Sequence, residues 1–201
     1  MGLENEILAT LQMYTKALSV SLKYRDFSTY RHSGRVQQLS SELGRNYGLG
    51  GKELNALCIA AAFHDIGKIG IPDDVLMKPG KFEKEEWEIM KTHSEIGEKI
   101  LASTELKGAE YVAKLIRHHH EHYNGNGYPD GLAGDEIPIS SRIISIVDSY
   151  EAMSITRVYH LARTHDEIME ILRQETGLKY DPDVFKIFSV MIENSEFKTK
   201  K

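Results

Sequence analysis

Residues Leu54 to Phe63 form an almost wholly apolar run that ends on His64 and Asp65, two ionisable side chains at consecutive positions. This junction constrains the chain more than any other feature. A run of that kind belongs in a core, and ionisable groups carried into a core are costly unless something pairs with them. A bound metal is the simplest common partner, and it requires further ligands from elsewhere. The sequence supplies His32 upstream and His93, His119, His120 and Asp148 downstream, each on or beside an apolar face.

Helical periodicity dominates the rest of the chain. Leu3, Ile7, Leu8, Leu11, Tyr14, Leu18 and Leu22 trace an amphipathic stripe. The first segment, 1–27, therefore reads as a helix that serves as a linker or packing arm, or as part of the core. His32, Val36, Leu39 and Leu43 recur at helical spacing, and Gly48, Gly50 and Gly51 close that helix. Residues 52–65 form the next helix, followed by a loop marked by Gly67, Gly70, Pro72 and Pro79-Gly80. Helices over Lys84–Thr92 and Ser94–Leu101 flank His93, and 108–122 is helical with Val112, Leu115, Ile116 and His119 on one face.

The segment Tyr123 to Pro138 is long and irregular, with Gly125, Gly127, Pro129, Gly131, Gly134 and Pro138. Ordered loops of that length are usually functional. Helices resume over 139–153, over 165–176 after the cap Thr164, and over 182–194 after the cap Asp181. A polar tail, 196–201, is expected to fray. The expectation is one all-α domain spanning 28–195.

Composition narrows the function. A formal net charge of −5 argues against nonspecific binding of DNA or RNA. No apolar run approaches the ~18 residues of a membrane-spanning helix, and the first residues lack the pattern of a secretory signal. The single cysteine, Cys58, rules out an intramolecular disulfide and is expected to be a small buried hydrophobe. The expected compartment is the cytoplasm.

Taken alone, His32 or His93 on an apolar helix would be read as a satisfied core histidine. Asp148 follows Ile143-Ile144-Ser145-Ile146-Val147, where an unpaired carboxylate would be expensive. His119 and His120, about 100° apart on a helix, project to neighbouring points. His118 and His122, near Lys114 and Glu121, are expected on a wetter face. The inward set is nitrogen and oxygen without thiolate, which disfavours structural zinc and favours iron, manganese or a related ion with open coordination. Asp65 beside His64 can bridge two such ions.

These residues resemble a known family. His64-Asp65 resembles the signature pair of the HD superfamily of metal-dependent phosphohydrolases. HDIGKIGIP at 64–72, with HHEHYNGNGYPDGL at 119–132, resembles its HD-GYP branch, of which Gly127-Tyr128-Pro129 is the eponymous triplet. Colinear matches support this over 28–190: His32 with Arg35-Val36, Lys78-Pro79-Gly80, Glu86-Trp87 with His93, Glu136-Ile137-Pro138, and Arg142-Ile143 before Asp148.

The resemblance implies an HD-superfamily bundle of about seven to nine helices with a GYP loop. It implies a phosphodiesterase that hydrolyses cyclic di-GMP to pGpG and onward to GMP through a hydroxide bridging two divalent ions, iron or manganese. Some members of the family prefer hybrid cyclic GMP-AMP. On this reading His32, His64, Asp65 and Asp148 hold one metal, and Asp65 bridges to a second completed by His93, His119 and His120. Lys68, one turn past His64, joins Asp65 as a catalytic group by neutralising a phosphate oxygen. Tyr128, Arg157 and His160 join Lys68 on the substrate. Family members also contact diguanylate cyclase domains through the loop, and the amphipathic first helix suits a homodimer.

The chain departs from the family pattern at four positions. Ser28 stands where relatives with a third metal carry glutamate, which points to a two-metal site. Glu151 replaces an aspartate, Val158 a proline, and His160 a lysine or arginine. These last three are expected to bear on the substrate side. The competing reading is a catalytically weak receptor or interaction module that keeps the metal site.

Overall fold

A computed structural model describes residues 17–155 and 162–199. Residues 17–25 are helical (α1) and stop at Asp26, whose carboxylate accepts from the Ser28 and Thr29 backbone N–H groups and so caps α2, Phe27–Tyr47. α2 ends on Gly48 at φ 99°, a left-handed conformation that favours glycine. There follow α3 (Gly51–Phe63), a 3-10 turn (Ile66–Gly70), α4 (Asp73–Leu76), α5 (Lys84–Lys91), α6 (His93–Ala102) and α7 (Ala109–Arg117). After the long loop come α8 (Ile139–Ser154), α9 (His165–Gln174) and α10 (Pro182–Ile192). The described residues contain no strand, only the isolated bridges Asn124–Ala133 and Thr176–Tyr180. The all-α expectation holds.

The caps read from the sequence are in place. Thr164 and Glu167 form a reciprocal capping box on α9, and the Asp181 carboxylate caps α10 ahead of Pro182. α8 runs through the centre, burying Ile143, Ile144, Ile146, Val147 and Tyr150. Two packed groups meet around it. α2 lies against α3 and α8, while α6 lies against α7 and the 3-10 turn, and α3 also touches α7. The end of α3 and the turn after it thus sit where the two groups join, and His64 and Asp65 lie there.

α1 belongs to this body through Leu22, which is buried, and through Arg25, whose Nη2 donates to the Ile71 carbonyl at 3.0 Å. At the other end Ser195 Oγ donates to Glu42 at 2.7 Å, and the Thr199 amide donates to the Tyr150 hydroxyl at 3.1 Å. Cys58 is free and only partly buried, on the less enclosed side of α3. No helix among the described residues is long and apolar enough to cross a membrane.

One boundary differs from the sequence reading in a way that matters. The helix expected over 108–122 ends at Arg117. The chain then turns, with the Glu121 amide donating to the His118 carbonyl at 3.1 Å. His119 and His120 are therefore turn residues, not neighbours on a helical face. The apolar spacing continues past the point where the chain folds back to enter the loop.

Candidate metal centre

The α2–α8 contact places two i, i+3 pairs opposite each other: His32 and Arg35 on one helix, Asp148 and Glu151 on the other. His32 Nε2 lies 2.8 Å from Asp148 Oδ1, and His32 Nδ1 bonds to Glu151, which also accepts from Arg35. His64 Nε2, at the end of α3, lies 3.8 Å from the same Asp148 oxygen. His32, His64 and Asp148 thus form one triad whose donor atoms all lie within 4.8 Å of one another.

The second triad, His93, His119 and His120, meets the same limit. Glycine makes its approach to the first triad close. A Cβ built on Gly67, in the 3-10 turn, would lie 1.8 Å from the His93 carbonyl oxygen and 2.6 Å from the Gly97 nitrogen. Only a glycine lets the turn after Asp65 press backbone to backbone on the start of α6. Gly97 in turn lets α6 approach Ile116 of α7.

Asp65 stands between the triads and offers one oxygen to each. Its Oδ2 is 3.4 Å from His64 Nε2, and its Oδ1 is 3.5 Å from His93 Nε2. Lys68 Nζ reaches Oδ2 at 2.7 Å. Burial would raise the Asp65 pKa, but Lys68, His64 and His93 outweigh it and hold the carboxyl well below its usual range. Asp148 behaves likewise, with burial overcome by its hydrogen bond to His32.

The tautomers fit ligation. His64, His93 and His119 each donate Nδ1–H to the carbonyl three residues earlier, Ala61 at 2.8 Å, Met90 at 2.8 Å and Ile116 at 2.5 Å. Each then turns a bare Nε2 inward, as metal-bound histidines do. His64 Nε2 is buried without a hydrogen-bond partner among the described residues, and the Nε2 atoms of His93 and His119 face each other at 3.5 Å. Donors bonded at 2.0–2.2 Å to one ion lie about 3–3.5 Å apart, so this spacing suits a shared cation.

Burial pushes His93 down to about 4 and His119 to about 3, with nearby histidines adding to the shift at His119. Burial, then His119 and His93, lowers His120 well below its ordinary value. His32 moves the other way. Burial opposes its charge, but Asp148 and Glu151 raise it to about 9. That corner calls for positive charge, which a proton or a metal ion can supply.

The loop covers the second triad. Tyr128 donates its amide to the His120 carbonyl at 3.2 Å and lays its ring 4.9 Å from the His120 ring. A Cβ on Gly127 would fall 2.2 Å from the His122 nitrogen, which accounts for the glycine of the triplet. Glu121 pins the loop from inside, its carboxylate accepting from the Asp130 and Gly131 amides at 2.7 and 3.1 Å. Arg117 holds Asp130 from outside through two 2.7 Å bonds.

All seven expected ligand residues therefore converge, with Lys68 and Tyr128 beside them. Arg157, Val158 and His160 lie outside the described residues. Two sequence expectations need correction. Glu151, expected on the substrate side, bonds to His32 instead, because an i+3 residue on α8 faces the same helix as Asp148. Glu121, expected to mark a wet face, is 2% exposed, because the helix that would turn it outward has already ended.

The fold and this donor set define an HD domain, and the chain belongs to that family: the HD domain model matches residues 16–184. Its HD and GYP motifs place it in the HD-GYP branch. The chain is 39% identical over 171 residues to a cyclic di-GMP phosphodiesterase of Thermotoga maritima, covering 85% of this chain and 46% of that protein. It is 35% identical over 182 residues to the 3′3′-cGAMP-specific phosphodiesterase 2 of Vibrio cholerae, covering 90% and 34%. It thus spans less than half of either relative. The Bdellovibrio bacteriovorus HDG"Y"P protein Bd1817 shares the fold with a TM-score of 0.68 at 17% identity, over 95% of this chain and 66% of that one. The HD domain of the Listeria monocytogenes phosphodiesterase PgpH, solved with cyclic-di-AMP, gives 0.63 at 18%, over 87% and 93%.

Proposed function

We propose that this chain is the hydrolase domain of a cyclic di-GMP phosphodiesterase that works with two divalent ions, iron or manganese. The observation that carries this reading is Asp65, with one carboxylate oxygen toward each histidine triad. His32, His64 and Asp148 would hold one ion, and His93, His119 and His120 the other, with Asp65 shared. Two such ions, when bound, activate water near neutral pH and offset the charge that builds on a phosphodiester under attack.

The protein's own groups do the rest. Glu151 and Arg35 fix the His32 ring, and the backbone carbonyls at Ala61, Met90 and Ile116 fix three more. Lys68 places an ammonium at the edge of Asp65, where it can shift to a non-bridging phosphate oxygen. Tyr128 walls the mouth of the site and keeps water from the His120 side. From the sequence resemblance alone, Arg157 and His160 are proposed as further phosphate contacts.

Relatives named for cyclic di-GMP and for 3′3′-cGAMP both support a cyclic dinucleotide. Cyclic di-GMP is the substrate proposed, with pGpG and then GMP as products, in the cytoplasm. The exposed part of the loop, at Asn124, Asn126 and Asp130, is the surface offered to a diguanylate cyclase, and Val20 and Tyr24 on α1 are the surface offered to a second copy.

Incubating the Mn- or Fe-loaded chain with cyclic di-GMP and separating products by chromatography tests the proposal. Release of pGpG, with two ions per chain by elemental analysis, is expected. Tight binding without turnover under either metal would replace the enzyme by a receptor.

A further inference from the structure

We propose that Trp87 is a base platform of this site, the surface on which one purine of the cyclic dinucleotide stacks while its phosphodiester lies at the triads. The proposal rests on the phosphodiesterase reading above. A purine base gains about 1–3 kcal/mol by stacking on an aromatic ring, in addition to what charged groups give its phosphate.

Tyr128 is the residue the sequence offers for this, but its ring is already engaged. It lies 4.9 Å from the His120 ring at an interplanar angle of 31°, with Lys91 Nζ 5.7 Å from its centroid. The next ring outward is Trp87 on α5, in edge contact with Tyr128 at 6.1 Å and 85°. The indole therefore stands two ring contacts from a proposed ligand, at the rim of the same site.

Trp87 is also held in place. Phe82 stacks against it at 6.2 Å and 25°, and Phe82 is itself packed on the satellite cluster of Ile71, Val75 and Met90. Even so, the indole remains 42% exposed. An exposed aromatic alone needs no explanation. One backed by a second ring, and touching the tyrosine that covers His120, has the position and the open surface a base requires.

Trp87 is the chain's single tryptophan, so its emission reports this subsite alone. The metal-loaded chain is mixed with cyclic di-GMP in a stopped-flow instrument and Trp87 emission is followed before turnover, with inorganic phosphate as the base-free control. Saturable quenching by cyclic di-GMP and none by phosphate is expected. In W87A the Kd for cyclic di-GMP should rise roughly 5- to 150-fold, the equivalent of about 1–3 kcal/mol per stacked base. Its kcat should stay within about threefold, and W87F should recover most of the affinity. The wild-type emission reads the contact even where W87A folds poorly.

Emission unmoved by cyclic di-GMP that the chain hydrolyses overturns the platform and leaves the phosphodiesterase standing. Equal quenching by phosphate, or an unchanged Kd in W87A, does the same. Absence of both turnover and cyclic-dinucleotide binding in the wild type overturns the platform together with the reading beneath it.

Discussion

The two triads use similar donors in opposite surroundings. The His32 half sits in a charged frame of Asp148, Glu151 and Arg35, and His32 is raised to about 9. The His93 half has no carboxylate of its own among the described residues, and burial lowers His93 and His119 to about 4 and 3. At neutral pH one half carries a proton where a cation is wanted, and the other offers neutral imidazoles. In the first, side chains orient His32 while the Ala61 carbonyl orients His64; in the second, backbone carbonyls orient His93 and His119. A cation entering the first half must displace a proton; one entering the second displaces none. Asp65 belongs to both, so its loss should be felt on both sides.

The strongest way to break this comparison is therefore Asp65→Ala. Turnover of cyclic di-GMP should fall at least about 10³-fold, with metal content dropping below two ions per folded chain. Full retention of either would show that the halves do not share this carboxylate. Next is Gly67→Ala, which drives a methyl into the His93 backbone. Denaturant unfolding of the metal-free protein should show a loss of about 3 kcal/mol or more, and a negligible loss would mean that the junction yields.

Glu151→Gln sharpens the contrast by touching one half. Chelator competition should find metal affinity about 10–100-fold weaker on the His32 side and unchanged on the other. Equal weakening of both sites would erase the distinction. The smallest expected effect is that of pH. His32 is raised from 6.5 to about 9, so in the metal-free chain its stabilising contribution is full below pH 6.5 and is lost as pH rises through 9. Metal entering that half at pH 7 must release about one proton, so affinity there should gain about tenfold per pH unit up to 9 and then level off. His93 and His119 are lowered, so they release no proton in that range, and they cost stability as pH falls from 6.5 toward their folded values. Calorimetry in buffers of differing ionisation enthalpy would count the protons, and a flat profile would refute the His32 assignment.

Much of this was legible in the sequence. The apolar run ending on His64-Asp65 reports a buried ionisable pair, and the caps at Thr164 and Asp181 mark their helices because capping is local chemistry. What was hidden depends on pairing between distant elements. Glu151 finds His32 only once α8 lies against α2, and no local pattern states that contact. The burial of Glu121 required knowing that α7 stops at Arg117, and neither Gly nor Pro stands there to say so. Trp87 was visible as a family match, but its place beside Tyr128 appears only when α5 and the loop are brought together.

The Gly67 contact has a consequence for how such a site can vary. Where side chains separate two helices, their spacing drifts as residues grow or shrink. Here main chain rests on main chain, so the separation between the two halves is a gauge set by bond lengths and van der Waals radii. The surrounding core can change its packing over time while the span between the two triads keeps one value.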